Sequence, residues 1–161
     1  MAAAGDVNGD GFADVIVGAP LANAGGTDSG TAALYYGTAG GLSATPAWTA
    51  QGSLPRARFG HAVAAAGDVN GDGYADVIVG APYQDGTSSA EEGRAFLYLG
   101  SASGLSAAPA WIGAPGLFGS GYGWSVASAG DVNGDGYADV VVGTPLFDTG
   151  GFYDEGRVSL Y

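Results

Sequence analysis

The sixteen residues GDVNGDGYADVIVGAP, Gly67 to Pro82, recur nearly unchanged as Gly5 to Pro20 and as Gly130 to Pro145. Each copy runs an acidic, glycine-rich stretch straight into a patch of Val and Ile. Asp6, Asp68 and Asp131 are equivalent positions, 62 and 63 residues apart, so the 161 residues hold about two and a half copies of one unit. A fixed period of this length marks a repeat architecture, in which a unit buries its apolar faces against its neighbours.

Working outward from the middle copy, Phe59-Gly60-His61-Ala62-Val63 is a short apolar segment predicted as a strand. Past the acidic run, Ala75 to Val79 is apolar and β-branched on successive residues, the pattern of a strand covered on both faces. Gly80-Ala81-Pro82 ends it. A polar stretch from Gln84 to Glu92 leads to a third predicted strand, Gly93 to Gly100, then to a turn of small residues, Ser101 to Leu105, and a weaker fourth strand around Trp111. No segment sustains a helical period.

Four short strands per unit predict an all-β fold of four-stranded antiparallel β-propeller blades. Residues 1–58 form the first blade, which lacks the Phe-Gly opening; residues 59–121 form a complete second; residues 122–161, opened by Tyr122-Gly123-Trp124, form a third that lacks its last strand. Closed propellers typically have about 4–8 blades, so nearly three blades per chain predict a ring closed by oligomerisation. A homodimer is favoured, because two chains would supply about six blades and three would exceed the usual range.

The acidic loop of the middle copy reads Asp68-x-Asn70-x-Asp72-Gly73-Tyr74-x-Asp76. Oxygen side chains occupy positions 1, 3, 5 and 9, and the residue at position 7 can offer its carbonyl. Hard cations such as Ca²⁺ take about 6–8 oxygens of these kinds. The glycine at position 6 permits a sharp turn. Zinc and softer ions prefer His and Cys, yet the chain has no cysteine, and its one histidine, His61, lies outside every loop. An EF-hand would need Glu at position 12, where this chain has Val17, Val79 and Val142. The bland reading of such a run is a solvated Asx-Gly turn; its threefold recurrence with identical donors favours one Ca²⁺ per loop, three per chain.

Composition supports a cation as partner. Sixteen acidic residues against four arginines and no lysine give a net charge of −12, which disfavours nucleic acid. Three divalent ions would add 6 and bring the net charge to −6. No apolar run reaches the roughly 20 residues of a membrane span, and no signal sequence is visible, so no membrane insertion is expected. No nucleophile elbow or other catalytic constellation occurs, and the chain is read as a non-enzyme. Trp48 and Trp111, at equivalent places, are expected to serve core or inter-blade packing rather than to form sugar platforms.

With Phe59-Gly60 at its head, the Asp-x-Asn-x-Asp-Gly-x-x-Asp loop at its centre and Gly80-Ala81-Pro82 at its tail, the unit resembles the FG-GAP repeat of the integrin α-subunit β-propeller and of similar bacterial propeller segments. The resemblance covers essentially the whole chain. It implies calcium loops in a hairpin between the first two strands of each blade. The ligands would be Asp6, Asn8, Asp10, the carbonyl of Phe12, and Asp14; Asp68, Asn70, Asp72, Tyr74 and Asp76; and Asp131, Asn133, Asp135, Tyr137 and Asp139. It also implies an extracellular or cell-surface setting and a structural or adhesion scaffold with protein ligands. A carbohydrate-binding propeller with glycan ligands, or the non-catalytic appendage of a secreted enzyme, is the alternative. Two departures stand out: copy three opens with Tyr-Gly and ends Gly143-Thr144-Pro145.

Overall fold

The computed structural model describes residues 1–84, 92–114, 116, 119–148 and 154–161. Its strands, in chain order, are β1 (Ala2–Gly5), β2 (Asp14–Ala19), β3 (Thr31–Tyr35), β4 (Trp48–Gln51), β5 (Ala62–Gly67), β6 (Asp76–Ala81), β7 (Arg94–Tyr98), β8 (Trp111–Gly113), β9 (Ser125–Gly130), β10 (Asp139–Thr144) and β11 (Arg157–Leu160). They pair as consecutive antiparallel meanders, β1-β2-β3-β4, β5-β6-β7-β8 and β9-β10-β11, and no helix occurs among the described residues. The all-β, blade-like order expected from the repeat is therefore present. Most of the polar stretch read between Gln84 and Glu92 lies outside the described residues.

Side-chain size explains how the three sheets meet. The first strands, AAAG, AVAAAG and SVASAG, carry almost nothing larger than alanine. Their backbones can therefore converge, and β1 packs on β5 as β5 packs on β9. Larger rings fill the wedge farther out: Trp48 meets Tyr98 edge-on at 4.8 Å and Trp111 meets Tyr161 at 4.9 Å. The Trp48 Nε1–H also donates to the Ser106 carbonyl of the next unit, 3.0 Å away, which is the packing role expected of it.

β6 is buried along its whole length, as its continuous apolar run predicts. Its alternate residues serve two cores. Val77 and Val79 join Ile16, Leu34, Phe59 and Tyr98 on one side, while Ile78 joins Leu97, Tyr122, Val140 and Val142 on the other. Each such buried side chain is worth about 1.5–3 kcal/mol.

The Phe-Gly pair departs from the sequence reading. It was expected inside the first strand, but β5 begins at Ala62. Phe59 instead bridges in parallel to Gly30 of the preceding unit, its N–H donating to the Ser29 carbonyl at 2.9 Å. Tyr122 repeats this on Gly93, donating to the Glu92 carbonyl at 3.1 Å. The physical reason lies in the glycine that follows. Gly60 and Gly123 take φ of 81° and 83°, a left-handed turn that breaks the extended run before the strand starts. Their carbonyls press against Gly18 and Gly80, where a Cβ would overlap them. The aromatic-glycine of one unit and the Gly-Ala-Pro of the unit before it are thus two halves of one contact.

His61 follows directly, its ring 4.9 Å from Trp124 of the next unit. Burial, and secondarily the Arg58 charge, holds its pKa below the ordinary 6.5. The fold thus favours neutral imidazole: this contribution to stability is complete above pH 6.5 and is lost as pH falls through 6.5 toward the folded value. Replacing His61→Gln should flatten that part of the stability–pH curve. Urea midpoints with the same slope in both proteins would contradict it. Gly80→Ala, whose Cβ meets immovable backbone, should cost about 1–3 kcal/mol. Exposed Gly40→Ala, with its nearest neighbour at 3.7 Å, should stay within about 0.5 kcal/mol of the parent. Equal urea midpoints for the two variants would remove the close approach from the account.

Candidate metal centre

The three acidic loops lie where the resemblance implies, each in the hairpin joining the first two strands of its sheet. A β-bulge precedes each loop, at Ala3/Gly5, Ala65/Gly67 and Gly130/Ser128. Glycines at positions 4 and 6 then take positive φ, 75° and 89° for Gly71 and Gly73 in the middle loop. Nothing lies within 4 Å of a Cβ built on Gly11, Gly73 or Gly136, so conformation rather than space requires glycine at position 6.

These turns fold the backbone over the first aspartate. Asp68 Oδ1 accepts from the N–H groups of Gly71 (2.7 Å) and Asp72 (3.1 Å), and its Oδ2 from Gly73 (2.8 Å). Asn70 Oδ1 accepts from the Asp72 N–H at 3.1 Å while its Nδ2 donates to Asp72 Oδ2 at 2.9 Å. Asp72 Oδ1 accepts from the Tyr74 N–H at 3.0 Å. The same network recurs around Asp6, Asn8 and Asp10 and around Asp131, Asn133 and Asp135.

The ninth position behaves differently. Asp76 is completely buried. Its Oδ2 accepts from the Val69 N–H and its Oδ1 from the Gly100 N–H, both at 2.8 Å. Asp14 holds Val7 and Gly37 in the same way, at 2.9 Å each, and Asp139 Oδ2 holds Val132 at 2.7 Å. Positions 1, 3 and 5 are thus brought together by direct hydrogen bonds, whereas position 9 is turned to backbone in the first two loops; in the third, Asp139 Oδ1 also accepts from Asn133 Nδ2 at 3.5 Å. Among the described residues, no three acidic or histidine side chains gather closely enough to surround an ion.

Electrostatics sets the positions apart as well. Burial, opposed by the two backbone hydrogen bonds, raises the Asp76 pKa, and the charges of Asp72 and Asp68 push it the same way. Asp14 is raised by the same causes, with Asp10 and Asp6 as the like charges. For Asp68 burial also pulls upward, but hydrogen bonds from Gly73, Gly71, Asp72 and Asn70 outweigh it and hold the carboxyl below its ordinary value. The donor set suits a hard cation: all oxygen, with carboxylates that each offer about four lone pairs, only some of them taken up by backbone N–H groups.

Several contacts of the loops were not read from the sequence. Val7, at position 2, is completely buried and pins its loop to the core. Tyr74 covers Gly9 of the preceding loop, and Tyr137 covers Gly71, so a Cβ on either glycine would come within 2.7 Å of the ring. The Ala75 N–H donates to the Asp6 carbonyl at 3.0 Å and the Ala138 N–H to the Asp68 carbonyl at 2.9 Å, which ties each loop to the next. Gly37 and Gly100 did leave a signal, since each stands two residues after the tyrosine that ends its third strand.

Residues 2–35, 59–98 and 122–161 match the family model described as FG-GAP repeat. The chain is 37% identical over 163 residues to integrin alpha-IIb of Mus musculus, a match covering 97% of this chain and 15% of that protein. It is 35% identical over 150 residues to integrin alpha-4 of Xenopus laevis, covering 91% and 14%, and 36% identical over 151 residues to integrin alpha-7 of Rattus norvegicus, covering 92% and 12%. The chain thus spans less than a sixth of the length of each of these relatives.

Asp76→Asn should destabilise the chain whether or not metal is present, because one of the two buried N–H groups then faces an amide N–H₂; the expected loss is about 1–3 kcal/mol. Asp72→Asn, on the exposed side of the loop, should lose less in excess chelator. Denaturant midpoints in EDTA are the check, and equal losses would deny position 9 its role as a buttress.

Proposed function

The chain belongs to the FG-GAP repeat family, and we propose that it is a calcium-binding β-propeller segment that acts as an adhesion or protein-interaction scaffold and performs no catalysis. The observation that carries the metal reading is the threefold repetition of one oxygen-only loop; in its first two copies the buried carboxylate, Asp14 or Asp76, is pushed upward in pKa by burial and also by its neighbours' charge. A divalent ion would supply positive charge to a nine-residue loop that carries three carboxylates. Asp6, Asn8, Asp10, Asp14 and the Phe12 carbonyl would hold it in the first loop. Asp68, Asn70, Asp72, Asp76 and Tyr74 would do so in the second, and Asp131, Asn133, Asp135, Asp139 and Tyr137 in the third. Asp14, Asp76 and Asp139 would meanwhile keep their grip on the backbone.

The setting that fits this reading is extracellular, where calcium is abundant, and the natural ligand is a protein, as the adhesion family suggests. The relatives' integrin identity favours a protein ligand over a glycan one, and the tryptophans at positions 48 and 111 are engaged in packing between units. Association with a second copy would cover the apolar residues at the outer face of the third sheet, where Val158 and Leu160 are exposed.

Metal analysis of the dialysed protein should give three Ca²⁺ per chain, and fewer than two tightly held ions would refute the reading. Since only the folded loops bind, each site should add about 2.7 kcal/mol of stability at a hundredfold excess of calcium over Kd. The melting temperature should therefore fall in excess EDTA; an unchanged melting curve would leave the loops as Asx turns without metal.

A further inference from the structure

We infer that the junction between the first two units carries a binding site for a peptide carboxylate, the side chain of an aspartate or glutamate on an extended segment of a partner protein, held by Arg56 and Arg58 beside Tyr83. The inference deepens the protein-interaction reading by naming the partner's chemistry, and its geometry is independent of the metal. The four residues of the site, Asp28, Arg56, Arg58 and Tyr83, stand on the segments that follow β2, β4 and β6, at the opposite end of the strands from the acidic loops.

A cavity of about 250 Å³ opens there, lined by those four side chains. Backbone hydrogen bonds hold its wall: the Arg56 N–H donates to the Thr27 carbonyl at 2.7 Å and the Arg58 N–H to the Asp28 carbonyl at 3.1 Å. The Arg58 guanidinium carbon lies 4.6 Å from the centre of the Tyr83 ring, which belongs to the second unit, and this stacking orients the fork before any ligand arrives. In a chain with sixteen acidic residues and no lysine, two of the four arginines stand two positions apart at this one place. The pair is a local exception to a net charge that repels anions.

The second junction shows that the fold does not demand this chemistry. Arg56, Arg58 and Tyr83 correspond there to Gly119, Gly121 and Leu146. The backbone is alike at both places: φ is 64° at Arg56 and at Gly119, and 53° and 67° at Arg58 and Gly121. The Arg58 carbonyl accepts from the His61 N–H at 3.0 Å, as the Gly121 carbonyl does from the Trp124 N–H at 3.2 Å. Glycine adopts such φ without steric cost, whereas arginine there is strained. Of the four non-glycine residues with positive φ among those described, three line this cavity. Asp28 is of a type that tolerates the conformation; the two arginines are not. Side chains held against backbone preference, where another copy of the same turn uses glycine, are explained by a role outside folding.

The lining selects the ligand. Guanidinium forks match the paired oxygens of a carboxylate. Asp28 contributes the opposite charge, which disfavours a phosphate dianion and offers an acceptor to a peptide N–H beside the bound carboxylate. Tyr83 supplies an apolar ring for the methylene stem of the incoming side chain. Arginine and tyrosine are also residue types on which the binding energy of protein interfaces concentrates.

The test follows the Nε–H signals of the four arginines in proton–nitrogen correlation spectra of the intact protein in calcium-containing buffer, assigned with single Arg→Gly variants. Acetyl-Ala-Asp-Ala-amide should shift the Arg56 and Arg58 signals saturably and leave those of Arg94 and Arg157 in place. The neutral acetyl-Ala-Asn-Ala-amide should bind about tenfold or more weakly, the size of losing a charge-assisted hydrogen bond. The double variant Arg56→Gly with Arg58→Gly copies the second junction, so its urea midpoint should be no lower than the parent's. Its backbone amide signals at Asp28 and Tyr83, which move in the parent, should no longer respond to the peptide. Tyr83→Leu, a second variant, should weaken binding while both arginine signals remain. The proposal is overturned by an absence of saturable shifts at Arg56 and Arg58, by equal binding of the two peptides, or by binding that the double variant retains. Tighter binding of inorganic phosphate than of the aspartate peptide would make a phosphoryl anion the occupant, and a lowered urea midpoint in the double variant would make the arginines structural; each overturns it equally. Metal analysis of the same samples tests the calcium scaffold separately, so either reading can fail alone.

Discussion

The backbone of one unit touches the backbone of the next with no side chain between them, and the rest of the structure follows from that approach. Gly18 and Gly80 are the contact points. With any side chain there, the carbonyls of Gly60 and Gly123 would be pushed away, and with them the aromatic residue just upstream. Phe59 would then lose its position 5.3 Å from Phe96, and Tyr122 its place among Ile78, Leu97 and Val142. The apolar cores are shared between neighbouring sheets rather than enclosed by any one of them, so they exist only while the junction is closed. This explains how a chain this rich in glycine and alanine forms cores at all: its small residues bring the sheets close enough for a few large ones to meet.

The loops are tied to the same junctions. A loop's first carbonyl accepts the N–H that precedes the ninth position of the next loop, and an aromatic ring at position 7 covers the glycine at position 4 of the loop before it. The ninth aspartate reaches across its own sheet to the segment after the third strand. Loop shape and sheet packing are therefore one problem. Asp14 and Asp76 are buried because holding two backbone N–H groups requires it, and that burial is the first cause of their raised pKa values.

Much of this was legible in the sequence. The period marked a repeat, the unbroken Val-Ile-Val run marked β6 as covered on both faces, and the loop's place in the first hairpin followed from the order of its elements. What escaped was whatever depends on contact between units. Phe59-Gly60 looks like the head of a strand because an apolar residue before an Ala-Val run reads as extended. Only the left-handed φ of Gly60 and the proximity of Gly18 show that it belongs to the neighbour. The division of labour inside the loop was hidden for a similar reason: Asp72 and Asp76 are the same residue type four positions apart, and burial against Gly100 is what separates them. The alanine-rich first strands also went unread, although only small side chains can pass where several sheets converge.

Two kinds of coupling between the loops follow from this architecture, and they obey different physics. One is Coulombic: each loop carries three carboxylates, and neutralising one loop lowers the repulsion felt by the next. That coupling acts through exposed groups and is screened over a Debye length of about 8 Å at physiological ionic strength. The other is mechanical. An ion held in a loop would fix its position-7 ring and the carbonyl of its first aspartate, and both are contacts with an adjacent loop. Those contacts are short-range and insensitive to salt. A chain whose loops communicated mainly through charge would lose that communication as ionic strength rose, whereas one relying on the Tyr74–Gly9 and Ala75–Asp6 contacts would retain it. Because the linked atoms belong to packed rings and backbone, the mechanical route is the one this structure builds in, and it runs through the same junctions that hold the sheets together.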